Sequence, residues 1–366
     1  MIRTLFLIVV FAAVAASQET VVFQSGADGN ASYRIPAIVK LRSGKLLAFA
    51  EGRKDHAGDF GDVNIVLRTS VDNGKTWSAM QDVVDNARLQ AGNPAPVVDL
   101  LDERYPKGRI FLFYNTGDQS EGEVRKGNGT REVWYKTSID EGRTWSDAVN
   151  ITRQVKRAGW RAYANTPGHA LQITKGNYKG RIFVPINYSK GDPQKHFADY
   201  MAAGFYSDDH GKTFKISDDI GIKGSNEATA AELPDGGLLL NARNQRGDQK
   251  LRITASSSDG GATWNSAGID ENLPDPICEG SLVNINSRTL AFANNADPDR
   301  RDRLTLRISF DAGKTWAKSI VVDAAPTPTD SYTAYSDIVV IDKKRIGILY
   351  EKDDYKRIVF RVVKWR

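Results

Sequence analysis

The chain has 366 residues, and its 50 Lys and Arg against 45 Asp and Glu give a formal net charge of +5. Apolar residues make up 40% of the sequence, which also contains 32 Gly and 13 Pro. This composition is typical of a folded globular protein and excludes a disordered, collagen-like or coiled-coil chain. Because +5 is a weak charge over this length, the sequence does not indicate a nucleic-acid-binding protein.

The first pattern in chain order predicts a signal peptide at residues 1–17. Arg3 precedes twelve apolar residues at 5–16, and Ala15, Ala16 and Ser17 offer small residues for cleavage. The apolar run is shorter than the roughly 20 residues that span a bilayer. An apolar N-terminal strand is the alternative interpretation. We expect a secreted protein, extracellular or periplasmic, without a membrane span.

Six pairs of short apolar segments then follow one another, each pair close enough to form an antiparallel hairpin. The first members are residues 35–41, 95–101, 168–173, 229–233, 280–285 and 335–341. The second members are residues 46–50, 110–114, 182–186, 238–242, 290–294 and 346–350. Helical periodicity is almost absent. At about 150 residues per domain the length would allow two domains, but six repeated sheet units predict one six-bladed β-propeller over residues 18–366.

Two further patterns support a closed ring of repeats. A strand near residues 20–23 is expected to join the last blade and cover an exposed sheet edge. The pattern Ser-x-Asp-x-Gly-x-Thr-Trp/Phe occurs five times, at residues 70–77, 138–145, 207–214, 257–264 and 309–316. In each copy Asp and Ser can bond to nearby backbone N–H groups, and Gly can adopt positive φ. We interpret the pattern as a structural hairpin turn.

The polar residues at the ends of each hairpin are expected to converge on one mouth of the ring, since both ends lie on the same rim. Residues at the start of the first strands are Arg34, Asn93, Asn165, Glu227, Glu279 and Tyr335. Residues at the end of the second strands are Arg53, Asn115, Asn187, Arg243, Asn294 and Glu351. Each alone is typical of a solvated cap or a packed ring. Several Arg residues around one point, however, require an anionic partner.

Together these residues resemble the secreted sialidase (neuraminidase) family of glycoside hydrolases over nearly the whole chain. The five turns are similar to that family's Asp boxes. Other segments that are similar to family signatures are Tyr33-Arg34-Ile35-Pro36, Asn241-Ala-Arg243, Tyr335-Ser-Asp337 and Leu349-Tyr-Glu351. The boxes alone say little about chemistry, because non-enzymatic propellers carry them too.

The resemblance implies that Arg34, Arg243 and Arg301 bind the carboxylate of a sialic acid. Arg301 is preferred to Arg303 because Arg301-Asp-Arg-Leu304 fits the family's pattern. The resemblance also implies that Glu351 orients and neutralises Arg34.

The resemblance further implies that Tyr335 is the nucleophile and that Glu227 is the base beside it. Asp59, six residues after Arg53, would be the acid/base. Asp55 and Asp62 on the same loop remain alternatives for that role.

Two positions depart from the family's pattern or stay ambiguous within it. Asn93 stands where some members have Asp, and with Arg53 it would contact the 4-hydroxyl of the sugar. Glu279 stands where the family often has an amide. A carboxylate there could raise neighbouring pKa values or alter the choice of acceptor, and the sequence leaves both open.

The resulting hypothesis is a retaining exo-α-sialidase acting on sialylated glycans, monomeric and without a cofactor. One alternative is a trans-sialidase, although those enzymes usually add a lectin-like domain that this chain is not expected to contain. The other is a catalytically silent sialoglycan-binding propeller, which would be expected to lack Tyr335, Glu227 or Asp59. Metal catalysis is not expected, because the four His residues show no paired ligand spacing and Cys278 is the only cysteine. Leaving-group contacts are expected from the loops at residues 117–132 and 189–200.

Overall fold

The computed structural model describes residues 19–327, 329 and 331–366. The predicted signal peptide at residues 1–17 lies outside the described residues. Within the described residues, no helix has both the length and the apolar character needed to cross a membrane.

Strands dominate the described part of the chain, as the sequence predicts. In chain order the first thirteen are β1 (Glu19–Gln24), β2 (Ser32–Lys40), β3 (Leu46–Arg53), β4 (Val63–Ser70), β5 (Gln81–Val84), β6 (Gln90–Asp99), β7 (Arg109–Gly117), β8 (Arg131–Ser138), β9 (Val149–Asn150), β10 (Trp160–Asn165), β11 (Leu171–Gln172), β12 (Ile182–Lys190) and β13 (Tyr200–Ser207). The others are β14 (Lys215–Ile216), β15 (Ser225–Glu232), β16 (Leu238–Asn244), β17 (Leu251–Ser257), β18 (Ser266–Pro274), β19 (Ser281–Asn284), β20 (Leu290–Asn295), β21 (Leu304–Ser309), β22 (Lys318–Asp323), β23 (Thr333–Asp342), β24 (Arg345–Lys352) and β25 (Arg357–Lys364). Among the described residues, helical structure is limited to α1 (Glu121–Lys126), α2 (Thr152–Val155) and 3-10 turns at Gly176–Tyr178 and Lys195–Phe197.

The strands form a propeller-type arrangement of sheets, but the prediction of six separate blades is wrong. Four sheets have the size of one blade: β10–β14, β15–β18, β19–β22, and β23–β25 with β1. The first two predicted hairpins instead share one eight-stranded sheet, β2–β9. Its two halves are joined because β4 and β6 begin side by side, with Val63 paired to Gln90 in parallel. Such a long-range bridge leaves no local sequence signal.

The N-terminal strand closes the last sheet, and this prediction is confirmed. β1 pairs antiparallel with β25 from Glu19 opposite Arg361 to Gln24 opposite Arg357. Ion pairs strengthen this seam, because Glu19 Oε2 lies 2.7 Å from Lys352 Nζ and 2.8 Å from Arg361 Nη2. The last sheet is therefore built from both ends of the described chain.

The five repeated turns have the structural role that the sequence predicts. In the first copy, Ser70 Oγ donates to Asp72 Oδ1 (2.8 Å) and accepts from the Gly74 N–H (2.9 Å). Asp72 also accepts from the N–H (3.0 Å) and hydroxyl (2.7 Å) of Thr76. The other four copies make the same bonds. These side chains are committed to their own turns and are not available for catalysis.

Irregular pairing recurs where the first strand of a hairpin begins. The register shifts lie within one strand, between the residues Arg34 and Ala37, Gly92 and Ala95, Trp160 and Tyr163, Ser225 and Ala228, and Thr333 and Ser336. Such bulges bend a strand and re-aim its side chains. They fall on the rim where the sequence predicts a binding site.

Candidate active site

The rim that carries the bulges surrounds a cavity of about 340 Å³. Eight of the twelve predicted rim residues line it: Arg34, Arg53, Asn93, Asn115, Asn187, Glu227, Arg243 and Tyr335. Arg301 and Asp59 line it as well. The other four rim residues, Asn165, Glu279, Asn294 and Glu351, are buried but are not among the cavity-lining residues. The structure thus brings together most of the residues that the sequence singles out.

A hydrogen-bonded group in the cavity wall consists of Tyr335, Glu227 and Arg243. The Tyr335 hydroxyl donates to Glu227 Oε1 at 2.6 Å. Arg243 Nη1 donates to Glu227 Oε2 at 2.7 Å and to the Tyr335 hydroxyl at 2.9 Å. Burial and the Glu227 carboxylate raise the pKa of Tyr335 well above its ordinary value, against the opposing effect of Arg243 and Arg301. The phenol therefore holds its proton at neutral pH, and Glu227 is within reach of that proton.

Glu351 holds Arg34 and the strand of the phenol together. Its Oε1 lies 2.6 Å from Arg34 Nε and accepts from the Ile35 N–H at 2.9 Å. Its Oε2 accepts from the Tyr335 N–H at 3.2 Å. The Glu351 side chain has no exposed surface, so its charge is compensated by Arg34. Although burial alone would lower it, the pKa of Arg34 is raised above its ordinary value by Glu351.

Arg301 differs from the other two arginines in its partners. It lies in the turn between β20 and β21 and donates to the Tyr355 hydroxyl at 3.1 Å and to the Ile277 carbonyl at 3.3 Å. Among the described residues it forms no ion pair with a carboxylate. Tyr355, which sequence reasoning missed, also stacks against the Arg34 guanidinium at 4.0 Å. Next to Arg34 and Tyr335, Arg301 is therefore a cation of the cavity wall whose hydrogen-bond partners are all neutral.

Asp59 stands at the open side of the cavity and is paired with a buried arginine. Its side chain is 83% exposed, and its Oδ1 lies 2.8 Å from Arg53 Nη1. Of the three aspartates on this loop, only Asp59 lines the cavity, whereas Asp55 and Asp62 do not.

Arg53 connects this loop to a carboxylate that sequence reasoning missed. Glu51 lies inside β3, and its Oε2 is 2.7 Å from Arg53 Nη2. Its Oε1 accepts from the Asn93 N–H at 2.9 Å. Asn93 has φ 55° and donates its amide to the Asn165 carbonyl at 2.8 Å. Two residues predicted to contact the sugar, Arg53 and Asn93, are thus fixed by the same buried carboxylate.

Comparison with known proteins identifies the family of this chain. Residues 19–348 match the BNR repeat-like domain family. The chain is 30% identical over 351 residues to a sialidase of Micromonospora viridifaciens, covering 89% of this chain and 51% of that protein. It is 30% identical over 372 residues to an exo-alpha-sialidase of Aspergillus fumigatus, covering 92% and 83%. This chain belongs to the sialidase family of glycoside hydrolases.

Solved sialidase structures share the fold. The Hadza microbial sialidase Hz136 superposes with a TM-score of 0.80 at 28% identity, over 93% of this chain and 67% of that one. A leech intramolecular trans-sialidase has a TM-score of 0.76 at 20% identity, over 96% of this chain and 70% of that one, and at that identity it supports the fold alone. The chain spans about half the length of the Micromonospora relative.

The wall made by β6, β8 and β10 carries polar groups that lack partners. Arg131 is only 8% exposed, and its guanidinium makes no hydrogen bond or ion pair with any described residue. Burial lowers its pKa. Gln90 Oε1 and the Tyr163 hydroxyl are also buried and unpartnered. Because buried polar groups are usually satisfied, this sialidase-family site is suited to a ligand rich in donors and acceptors.

The two loops expected to contact the leaving group do reach the cavity. Glu121 and Arg131 belong to the loop at residues 117–132, and Phe197 belongs to the loop at residues 189–200. The sequence prediction of rim residues considered only the start of the first strand and the end of the second strand of each hairpin. It therefore overlooked Arg131, which begins the third strand of its unit. Applying the same rule to third strands would have found it.

Within the described residues, one cluster of side chains of the types that bind metal ions lies apart from the cavity. Asp99, Asp102 and His210 bring their ligand atoms within 4.8 Å of one another. Asp99 is bonded to His210 Nδ1 (2.8 Å) and accepts from Gln172 Nε2 (2.6 Å), and Asp102 is paired with Arg104 (2.7 Å). None of the three lines the cavity. These groups have protein partners and do not bear on the chemistry of the site.

Proposed function

We propose that the protein is a retaining exo-α-sialidase that removes terminal sialic acids from glycoproteins, glycolipids or oligosaccharides through a covalent tyrosyl–sialosyl intermediate. The observation that carries the proposal is the 2.6 Å hydrogen bond from the Tyr335 hydroxyl to Glu227, in a cavity whose lining includes Arg34, Arg243 and Arg301. A buried phenol next to a carboxylate base is an activated nucleophile. The arginines select a substrate that carries an anion.

The substrate carboxylate would bind between Arg34, Arg243 and Arg301. A guanidinium can bind a carboxylate through two parallel bonds, and each charge-assisted bond contributes about 1.5–3 kcal/mol. Arg34 and Arg243 already have carboxylate partners, while Arg301 has only neutral ones. The incoming anion therefore compensates a charge that the protein leaves unpaired.

The substrate's own charge explains why a phenol suits the nucleophile. The anomeric carbon of a sialoside bears the carboxylate, so an Asp or Glu nucleophile would approach against a like charge. A neutral phenol avoids that repulsion, but with an ordinary pKa near 10 it is weak at pH 7. Glu227 can take the proton as attack occurs. Sialidases with a Tyr nucleophile are the noted exception to two-carboxylate retaining glycosidases.

The reaction then proceeds in two balanced steps. In the first, the Tyr335 oxygen bonds to the anomeric carbon, Glu227 takes the phenol proton, and Asp59 protonates the departing glycan oxygen. In the second, Asp59 takes a proton from water, the water oxygen bonds to the anomeric carbon, and Tyr335 leaves and regains its proton from Glu227. Two inversions retain the anomeric configuration, and no cofactor is needed. The exposure of Asp59 lets it exchange protons with solvent.

The unpartnered groups on the wall made by β6, β8 and β10 fit the rest of a sialic acid. Its acyl group and polyol tail carry both donors and acceptors. They would supply the hydrogen-bond partners that Gln90, Arg131 and Tyr163 lack among the described residues. We further propose that residues 1–17 direct secretion and that residues 18–366 act as one monomeric catalytic domain. N-terminal sequencing of secreted protein and its mass in solution test these two points.

The nucleophile is tested with Tyr335→Phe and turnover of a fluorogenic sialoside. We expect kcat to fall by about a thousandfold or more, because the variant retains the ring but has no attacking oxygen. Tyr188→Phe is the matched control and should retain most of kcat, because Tyr188 is a buried tyrosine that does not line the cavity and donates to Asp219 at 2.7 Å. Mass spectrometry of acid-quenched wild type should detect a sialosyl adduct on Tyr335. Near-normal turnover of Tyr335→Phe would remove this residue from the mechanism.

Product analysis tests the stereochemistry and the acceptor. NMR of the first-formed free product should show the α-anomer, whereas initial β-product would rule out retention. A linkage-defined sialoside panel, run with and without lactose, separates hydrolysis from transfer. Transfer to lactose as the main reaction would favour the trans-sialidase alternative.

A further inference from the structure

The strand of the nucleophile leaves regular pairing where the phenol enters the cavity. β23 pairs with β24 at Thr333 opposite Lys352 and resumes at Ser336 opposite Tyr350, with a register shift between these positions. The Tyr335 N–H bonds to Glu351 Oε2 (3.2 Å), and the Ser336 N–H bonds to Glu279 Oε2 (2.9 Å). Two carboxyl groups therefore hold consecutive amides at the bulge.

These two carboxyl groups have different electrostatic surroundings. Glu351 is paired with Arg34 at 2.6 Å, which compensates its negative charge. Glu279 is only 2% exposed, forms no ion pair with any described residue, and has no hydrogen-bond partner at Oε1. An ionised carboxylate in that position would be a buried, uncompensated charge, which is very costly.

The charged groups around Glu279 compensate its charge only in part. The carboxyl groups of Asp337 on β23, which is bonded to His169 at 2.7 Å, and of Glu227 on β15 oppose ionisation of Glu279. The Cys278 thiol beside it is neutral because burial raises its pKa to about 12. Among the described residues, Arg252 on β17 is a cation that favours the ionised form of Glu279, and its Nη1 is already paired with Asp275 at 3.3 Å. Burial, Asp337 and Glu227 raise the pKa of Glu279 well above its ordinary value.

We infer that Glu279 is a positioning residue that holds the nucleophile's bulge as a neutral carboxylic acid. This inference rests on the proposed role of Tyr335. The acid anchors the Ser336 amide while adding no charge near Glu227 and the oxygen that becomes negative during attack. Loss of its proton would place another anion beside Glu227 and oppose the proton transfer from Tyr335. The decline of activity at alkaline pH then reports the deprotonation of Glu279.

Two substitutions separate the anchor from the charge. Glu279→Gln keeps the shape and one acceptor oxygen but cannot ionise. We expect its kcat at pH 6 to stay within about threefold of wild type, and its activity to persist at alkaline pH where wild type declines. Glu279→Leu removes the acceptor, and we expect kcat to fall more than about tenfold with little change in KM, because small misplacements of reacting groups are costly.

A matched control and a direct readout keep the inference testable. Glu232→Gln alters another buried carboxylate on the strand of Glu227, bonded to the Thr174 hydroxyl at 2.6 Å, and should leave the pH profile unchanged. The infrared difference spectrum of wild type minus Glu279→Gln at pH 7 should show the carbonyl band of a protonated carboxylic acid. This readout needs neither activity nor the Leu variant.

Two outcomes would overturn the inference. One is a carboxylate band, in place of the acid band, in the difference spectrum. The other is a Glu279→Gln variant whose alkaline limb coincides with that of wild type or whose kcat falls as far as that of Glu279→Leu. Failure of the proposed function is distinguishable, because it appears as retained turnover in Tyr335→Phe and leaves the infrared result intact.

Discussion

Glu351→Gln is the substitution that best tests how the cavity is held together. Three groups converge on this one side chain: the Arg34 guanidinium, the Ile35 N–H and the Tyr335 N–H. Glutamine has nearly the same shape but carries no charge and only one acceptor oxygen. Whichever way the amide turns, its NH₂ group faces an N–H that a carboxylate oxygen accepts from in the wild type, and that N–H loses its acceptor.

The magnitude follows from the burial of this pair. The Arg34 side chain is 12% exposed and that of Glu351 is 0% exposed, so solvent screens their interaction little. Removing one partner of a buried ion pair costs about 3–5 kcal/mol, because the other charge is left uncompensated. A stranded buried N–H accounts for about 1–3 kcal/mol of such a loss. We therefore expect Glu351→Gln to lower the free energy of unfolding by about 3–5 kcal/mol.

Urea unfolding of wild type and variant measures this difference, provided that the m-values agree. The control is Asp192→Asn, which removes the partner of Arg161 at 2.8 Å but at a site where the aspartate is 90% exposed. Exposed pairs contribute little, so no resolvable change is expected there. We also expect kcat/KM to fall by about tenfold or more, since Arg34 and Tyr335 lose a shared anchor. If Glu351→Gln were as stable as Asp192→Asn, the reasoning would be wrong.

Three further predictions concern other parts of the site. Asp59→Ala should slow sialosides with poor leaving groups far more than activated aryl sialosides, because only the former need a proton donor; equal losses would exclude Asp59 as the acid. The pKa of Glu279 is raised above its ordinary value of 4.5, so the stability that the neutral acid contributes is complete below pH 4.5 and is lost as pH rises toward the folded-state pKa. Urea titrations should show wild type losing stability relative to Glu279→Gln by up to about 1.36 kcal/mol per pH unit over that window, and a constant difference would contradict it. Arg131→Met should lower kcat/KM about tenfold or more for an intact sialoside, with a smaller effect on an analogue truncated beyond C7; equal effects would place Arg131 away from the polyol tail.

The repeated turns and the closing strand could be predicted from sequence because their causes are local or end-specific. Each Asp box is completed by bonds spanning only two to four residues, as between Ser70, Asp72 and Gly74. The number of separate sheets could not be predicted in the same way. It depends on the pairing of Val63 with Gln90, which is set by how two strands meet in space.

The prediction that polar residues at the hairpin ends converge located the cavity, but it could not distinguish the residues of the cavity wall from those buried behind it. Glu279 and Glu351 stand at strand ends like Arg34 and Tyr335, yet they are not among the cavity-lining residues. Successive side chains of a strand point to opposite faces, so a shift of one residue reverses the direction of a side chain. The bulges at these strand starts introduce such shifts, and nothing in the sequence alone marks which residue is displaced.

The same bulges explain why buried carboxyl groups gather in and behind the cavity wall. A bulge frees backbone N–H groups from the ladder, and buried N–H groups need acceptors. Glu51 accepts from Asn93, Glu351 from Ile35 and Tyr335, and Glu279 from Ser336. Glu51 and Glu351 are also paired with Arg53 and Arg34, which line the cavity. Each of these carboxylates therefore accepts from a backbone N–H and also compensates the charge of an arginine in the cavity wall. Glu279 has no such arginine, which is why we assign it the neutral form and why its protonation state is the sharpest test of this arrangement.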